Sequence, residues 1–207
     1  HKRTRRMIMT RKEKKENWSA VILAGGLGSR LMPLTTNICK PMVSVTNCPM
    51  IEYAIEHLRY AGIKRIVICV KKFGEKLRAQ INDFWPQERQ DELGVEIMVP
   101  RLDSKGTADA VRLAGDMIET EHFIVSMADI VTNLPLGKFM DFHEEKNAYA
   151  TISMKKIEQM ATKYGNTLID HSGKIVRFLE KPSSSEIYLS ALTGGTSASL
   201  PIINTGI

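Results

Sequence analysis

Ser19-Ala20-Val21-Ile22-Leu23-Ala24-Gly25-Gly26-Leu27-Gly28-Ser29-Arg30-Leu31, with Lys40-Pro41 close behind, is the stretch around which the chain is organised. An apolar run of strand length, Ala20 to Ala24, stops at Gly25, Gly26 and Gly28, and Arg30 follows two residues beyond the last of them. Glycines leave backbone N–H groups uncovered and let phosphates approach, and a guanidinium adds a planar fork for the same oxygens. The pattern predicts a buried strand that opens, at its carboxyl end, into a loop holding a polyphosphate. A tight surface turn is the plainer alternative for glycines standing alone.

Two common phosphate loops do not fit. A Walker loop requires Lys and Ser/Thr directly after its last glycine, and Gly28 is followed by Ser29-Arg30. A dinucleotide fingerprint counted from Gly26 and Gly28 needs a third glycine where Leu31 stands.

Outward from this stretch, strand-like and helix-like segments alternate. Lys40 to Val45 reads as a short extended piece. Met50 to Ala61 carries Ile51, Ala54, Ile55 and Leu58 at helical spacing and runs into Gly62, which ends it. Arg65 to Val70 is a continuous apolar run, the signature of a parallel strand covered on both faces. The rhythm continues with a helix over 75–85, a strand over 95–99, and a helix from Gly106 to about Ile118. A strand over 122–127, a helix over 136–146 and a strand over 149–154 follow. This predicts the α/β class: a Rossmann-like, mostly parallel sheet flanked by helices. Residues 166–169 and 174–179, joined through Asp170-His171-Ser172-Gly173, predict an added β-hairpin. Residues 183–200, rich in Ser, Thr, Gly and Ala, read as a loop before a last strand over 202–207.

With 207 residues, 43% of them hydrophobic, the chain can bury a core as one domain. Its net charge of +6 is local. Lys2, Arg3, Arg5, Arg6, Arg11, Lys12, Lys14 and Lys15 against Glu13 and Glu16 account for all of it, and the remainder holds 21 basic and 21 acidic residues. Residues 1–18 are therefore expected to be a flexible basic tail or linker, and 19–207 the functional domain. The tail lacks the interleaved aromatics of an RNA-binding surface, so no nucleic-acid partner is expected. No signal-peptide core or membrane-length apolar run is present, which predicts a soluble, cytoplasmic protein without a membrane partner. Cys39, Cys48 and Cys69 form neither a disulfide framework nor a Cys-x-x-Cys pair, and Cys69, inside an apolar strand, reads as a buried thiol.

Three further places carry chemistry. Asp129 ends an apolar strand, at the sheet edge where open α/β folds bind ligands, and a carboxylate there suits a Mg²⁺ ion bridging phosphate oxygens. Capping of the next turn is its ordinary alternative. Gly106-Thr107 sets bare backbone and a hydroxyl at a helix start, suited to a base or phosphate, though an N-cap explains it equally well. Glu180-Lys181-Pro182 places an acid and a base side by side. Alternation along a strand sends them to opposite sides unless the chain turns at Pro182. The Glu would suit sugar hydroxyls and the Lys a phosphate; a solvated ion pair is the alternative.

In order and spacing these pieces resemble the sugar-1-phosphate nucleotidyltransferases, or NDP-sugar pyrophosphorylases. The matching stretches are Leu23 to Thr35, Lys40-Pro41-Met42, Pro49 to Tyr53 and Ala61-Gly62-Ile63, then Gly106 to Ala110 and Asp129. Tyr164-Gly165, Phe178 to Pro182 and Asn204-Thr205-Gly206-Ile207 complete them. The resemblance implies nucleotidyl transfer from a nucleoside triphosphate to a hexose 1-phosphate, with Mg²⁺ as cofactor and release of pyrophosphate. It implies that Leu23, Ala24, Gly25, Gly26 and Gly28 cradle the nucleotide and that Arg30 holds the β- and γ-phosphates. Lys40 would bridge phosphates near the attack, Gly106 and Thr107 would abut the base, and Asp129 would bind the metal. Gly165, Glu180 and Asn204 would meet the hexose and Lys181 its phosphate.

The chain departs from the family pattern in three places. A second metal-binding Asp lies, in the family, beyond the strand that here ends at Ile207, so the domain is expected to be truncated at its C-terminus. Ala128 stands where a Gly commonly precedes the metal Asp. Arg101 occupies the base-reading position five residues before Gly106, where Gln or Glu is usual, and could donate to a base carbonyl oxygen. The alternative from another class is a regulatory or assembly subunit that binds nucleotide or sugar phosphate without turnover. Retention of Arg30, Lys40, Asp129 and Lys181 favours catalysis. Oligomeric state is left open, a homo-oligomer included.

Overall fold

The computed structural model describes residues 17–26, 28–70, 74–156, 165–186, 189 and 202–204. The chain divides into two compact units, His1–Leu136 and Gly137–Ile207.

The first unit is built on β1 (Trp18–Leu23), buried along its whole length. It is paired in parallel with β4 (Arg65–Cys69) on one side and β6 (His122–Met127) on the other. A further parallel strand, β5 (Glu96–Met98), pairs with β4 and gives the order β5-β4-β1-β6. The chain thus winds outward from β1 through β4 and β5, then returns to the far side of β1 as β6. Ligands bind beyond the strands' carboxyl ends at such a reversal of direction. Val21 and Leu23 pack with Val67, Cys69 and the Ala110 and Ala114 of α4 (Thr107–Ala114). The alternate residues Ala20, Ile22, Ile66 and Ile68 are fully buried too. The two central strands β1 and β4 are thus covered on both faces, which is why they read as apolar runs, whereas β6 leaves Phe123 and Val125 exposed.

The helix α1 (Met50–Tyr60) buries Ile51, Ala54, Ile55 and Leu58, the stripe its spacing predicts. Gly62 follows it at φ 92°, with its N–H bonded to Arg59 O, a glycine-dependent helix end. The helix α2 (Gly74–Phe84) buries Leu77 and Ile81.

Four differences from the sequence reading have local causes. Lys40–Met42 is a 3-10 turn, not an extended piece: Pro41 suits a first helical turn, and Met42 and Val43 donate back to Cys39 and Lys40. Only Ser44–Val45 (β2) is extended, pairing with Cys48–Pro49 (β3). The helix α3 (Gln87–Leu93) has no apolar stripe to announce it. Its buried Gln90 holds it instead, donating to Trp85 O (2.8 Å) and accepting from Ile97 N (2.8 Å). The helix from Gly106 ends at Ala114 and tightens into a 3-10 turn, Gly115–Met117.

The fourth difference lies in the second unit. Residues 149–154 form no strand: Tyr149 is fully exposed, and Thr151 is tied by its hydroxyl to His143 Nδ1 (2.8 Å) of α5 (Leu136–Lys146). Further on, β8 (Gly165–Ile169) and β9 (Ile175–Glu180) form the expected antiparallel hairpin. Asp170 fastens its turn, accepting from Ser172 and Lys174 amides at 2.9 Å, and Gly173 takes φ 83°. A short β7 (Lys155–Lys156) and β10 (Ile202–Asn204) extend the hairpin into a sheet of order β7-β10-β8-β9. Thr205-Gly206-Ile207, most of 183–200 beyond residue 186, and the basic tail before residue 17 lie outside the described residues.

Candidate functional site

Register puts three chain exits at one edge. Leu23 lies opposite Cys69 and also opposite Met127, so Ala24, Val70 and Ala128 leave the sheet together. Ala24 N donates to Cys69 O (2.9 Å) and Ala128 N to Leu23 O (3.1 Å), which fixes the three exits side by side. A cavity of about 270 Å³ opens there. One half is apolar, lined by Leu23, Cys69, Val70, Ala110 and Met127. The other half presents bare backbone at Ala24, Gly25 and Gly26, with Lys40 and Asp129 as its charged groups. Gly106, Thr107 and Ser104 complete the wall at the start of α4.

Lys40 and Asp129, 89 residues apart in sequence, form a direct ion pair between Nζ and Oδ2. Their side chains are only 29% and 27% exposed, so solvent screens the pair weakly compared with a surface bridge. Pro41 and the 3-10 turn aim Lys40, and the end of β6 supplies Asp129.

The glycines divide in role. Gly28 takes φ +67°, and a Cβ there would meet Thr35 Cγ2 at 2.8 Å and Lys40 Cβ at 3.0 Å. Thr35 Oγ1 donates to Gly28 O at 2.7 Å. Gly28 therefore lets the loop close on itself and seats Lys40, and it does not line the cavity. Gly26 faces open space, with Lys40 Cδ at 3.9 Å the nearest atom to an added Cβ.

Two expected cations stand elsewhere. Arg30 is exposed, in the 3-10 turn Ser29–Leu31, and outside the cavity wall. Arg101 is exposed too, its backbone bridged to Val70, with its side chain outside the wall. The cation facing Asp129 is Lys40. A smaller hollow adjoins the cavity through Gly26, Lys40 and Pro41, and there Lys76 Nζ donates to Asn37 O. Burial pushes the Cys39 thiol up, against the pull of the Lys76 charge. The Cys69 thiol in the apolar half is pushed up to about 11 by burial and donates to Ala110 O. Ser104 belongs to the wall and escaped the sequence reading, because a lone serine in a loop carries no periodic or motif signal.

In the second unit, Gly165 pairs directly with Glu180 across β8 and β9, and Asn204 pairs with Asn166, the residue after Gly165. Gly165, Glu180 and Asn204 thus share one end of that sheet. Lys181 follows at φ +44°, a turn that brings its Nζ to 3.5 Å from Glu180 Oε1 rather than to the opposite side. Both side chains are exposed, at 65% and 76%.

Among the described residues no cluster of three His, Cys, Asp or Glu side chains exists. Among the described residues, Asp129 is the one carboxylate that lines the cavity. That donor set fits Mg²⁺, which accepts one or two carboxylates and fills its shell with substrate phosphates and water.

Residues 19–202 match the Nucleotidyl transferase family. The chain belongs to this family. It is 33% identical over 168 residues to "Probable mannose-1-phosphate guanylyltransferase 1" of Oryza sativa subsp. japonica, covering 79% of this chain and 45% of that protein. It is 32% identical over 167 residues, with the same coverage, to "Mannose-1-phosphate guanyltransferase beta-B" of Xenopus laevis. The chain therefore spans less than half the length of these relatives. The fold is shared with a structure of a UDP-glucose pyrophosphorylase complexed with UDP-glucose, at a TM-score of 0.67 and 19% identity, covering 91% of this chain and 74% of that one. Among the described residues no helix is long and apolar enough to cross a membrane.

Proposed function

We propose that the chain transfers a nucleotidyl group from a nucleoside triphosphate to a hexose 1-phosphate. The observation that carries this reading is the single cavity joining an apolar half to bare glycine backbone, Lys40 and Asp129. A phosphate oxygen of the sugar phosphate attacks the α-phosphorus; the new O–P bond forms as the bond to the β-phosphate oxygen breaks, and pyrophosphate leaves. No covalent nucleophile on the protein is needed, because such transfers are driven by positioning and charge neutralisation.

The base occupies the apolar half, against Leu23, Val70, Ala110 and Met127, beside Gly106 and Thr107. The triphosphate lies over Ala24, Gly25 and Gly26, whose backbone can approach it closely. Lys40 leaves Asp129 for the phosphate oxygens. Asp129, so released, would hold Mg²⁺, which when bound would supply further neutralisation of the triphosphate charge. Arg30, at the loop's outer rim, remains assigned to the terminal phosphates. Gly165, Glu180, Asn204 and Lys181 keep their sugar-side roles on motif resemblance. The relatives' names make GTP and mannose 1-phosphate the first pair to try.

The test is pyrophosphate release with Mg²⁺ across a panel of nucleoside triphosphates and hexose 1-phosphates. One preferred pair is expected. Nucleotide binding without turnover on any pair would replace catalysis with the regulatory-subunit reading.

A further inference from the structure

The apolar half of the cavity raises the question of what distinguishes one base from another there. Leu23, Val70, Ala110 and Met127 offer no hydrogen-bonding side-chain group, and the Cys69 thiol is already committed to Ala110 O. Arg101, five residues before Gly106, is exposed outside the wall. Within the same segment Ser104 does reach the wall, and it is 7% exposed. The residue is largely packed into the wall, yet its Oγ is not among the fully buried side-chain atoms without a partner, so the hydroxyl opens to the cavity. Among the described residues, none is a hydrogen-bond partner of the Ser104 hydroxyl.

From this placement we infer that Ser104 is a specificity-determining residue, whose hydroxyl pairs with the polar edge of the bound nucleobase. The inference rests on the nucleotide reading of the cavity and deepens it. A hydroxyl both donates and accepts, so it can meet a ring carbonyl oxygen or a ring N–H. Its contribution is discriminatory because a base that presents the wrong edge strips the hydroxyl of solvent without replacing the lost hydrogen bond. The rest of the apolar half grips any flat ring by area alone and discriminates weakly.

The experiment compares the chain with its Ser104→Ala and Ser104→Gly variants. Dissociation constants are measured for GTP, ATP, UTP and dTTP, and for inorganic tripolyphosphate, which has no base to read. Wild type should favour one nucleotide. Both variants should bind that nucleotide about tenfold more weakly, compress the spread among the four, and keep tripolyphosphate affinity unchanged, which also certifies their fold. Equal spread in wild type and variants, or a parallel loss of tripolyphosphate, overturns the assignment of Ser104. Compression of the spread by Arg101→Ala with none from Ser104→Ala also overturns it and gives base reading to Arg101. Failure is separable from failure of the underlying reading: a wild-type chain that binds no nucleotide more tightly than tripolyphosphate refutes the nucleotide cavity itself, and Ser104 with it.

Discussion

Each unit carries a Lys–carboxylate pair at a place assigned to phosphate chemistry, and the two pairs differ in kind. Lys40–Asp129 joins residues distant in sequence, is roughly three-quarters buried on both sides and stands in a cavity. Glu180–Lys181 joins neighbours, is mostly exposed and depends on a local turn at φ +44°. An ion pair withdrawn from solvent keeps much of its Coulombic attraction, whereas a surface pair is worth about 0–1 kcal/mol. The first pair is therefore a preset element of the fold, and the second is an exposed pair that solvent screens strongly.

The sharpest way to break this contrast is to remove each member. Lys40→Ala and Asp129→Ala are each expected to lower kcat/KM by about a hundredfold or more, the scale of losing a preorganised charge at a transferring phosphoryl group. Each should also cost about 1–3 kcal/mol of stability in denaturant melts, since a half-buried partner is left unpaired. Glu180→Ala and Lys181→Ala should leave stability within about 0.5 kcal/mol. A comparable stability loss from the exposed pair would abolish the distinction.

Next in size is Gly28→Ala. An added Cβ is strained at φ +67° and collides with Thr35 and the stem of Lys40, so a loss of about 1–3 kcal/mol and displacement of Lys40 are expected. Gly106→Ala meets nothing within 4 Å and should melt as wild type. Equal melting of the two variants would deny Gly28 its seating role. Smaller again, Lys181→Ala should raise the KM for hexose 1-phosphate about tenfold while nucleotide affinity stays put, as expected for one charge-assisted hydrogen bond.

The last effect is confined to alkaline pH and concerns Cys69. Burial raises its thiol from 9.0 to about 11, so the folded state holds this proton more tightly than the unfolded chain. The resulting stability is complete below pH 9.0 and is lost as pH rises through about 11. Cys69→Ser should flatten that alkaline decline in a pH series of melts.

What could be read in the residues follows the same divide. The parallel sheet was legible because Trp18–Leu23 and Arg65–Cys69 are buried along nearly their whole length and so read as apolar runs, while His122–Met127 was legible from its apolar residues even though Phe123 and Val125 stay exposed. The α1 stripe and its Gly62 end were legible for the same local reasons. Helix α3 was not, since a single buried Gln90 bonded to distant backbone holds it, and no periodicity records that. Residues 149–154 alternate like a strand, yet a hydroxyl bonded to His143 fastens them to α5. Of the residues named from the sequence, Gly25, Gly26, Lys40 and Asp129 line one cavity, while two placements depended on the three-dimensional structure. Motif reading could not foresee that Gly28 would pack on Thr35, or that Ser104 rather than Arg101 would reach the wall.

The central claim is that a triphosphate displaces one preset ion pair. A structure of the chain with Mg²⁺ and an α,β-methylene nucleoside triphosphate tests it most directly. The phosphates are expected over Gly25 and Gly26, with Lys40 Nζ on a phosphate oxygen and no longer on Asp129. A nucleotide bound elsewhere, with the Lys40–Asp129 pair intact, would contradict it.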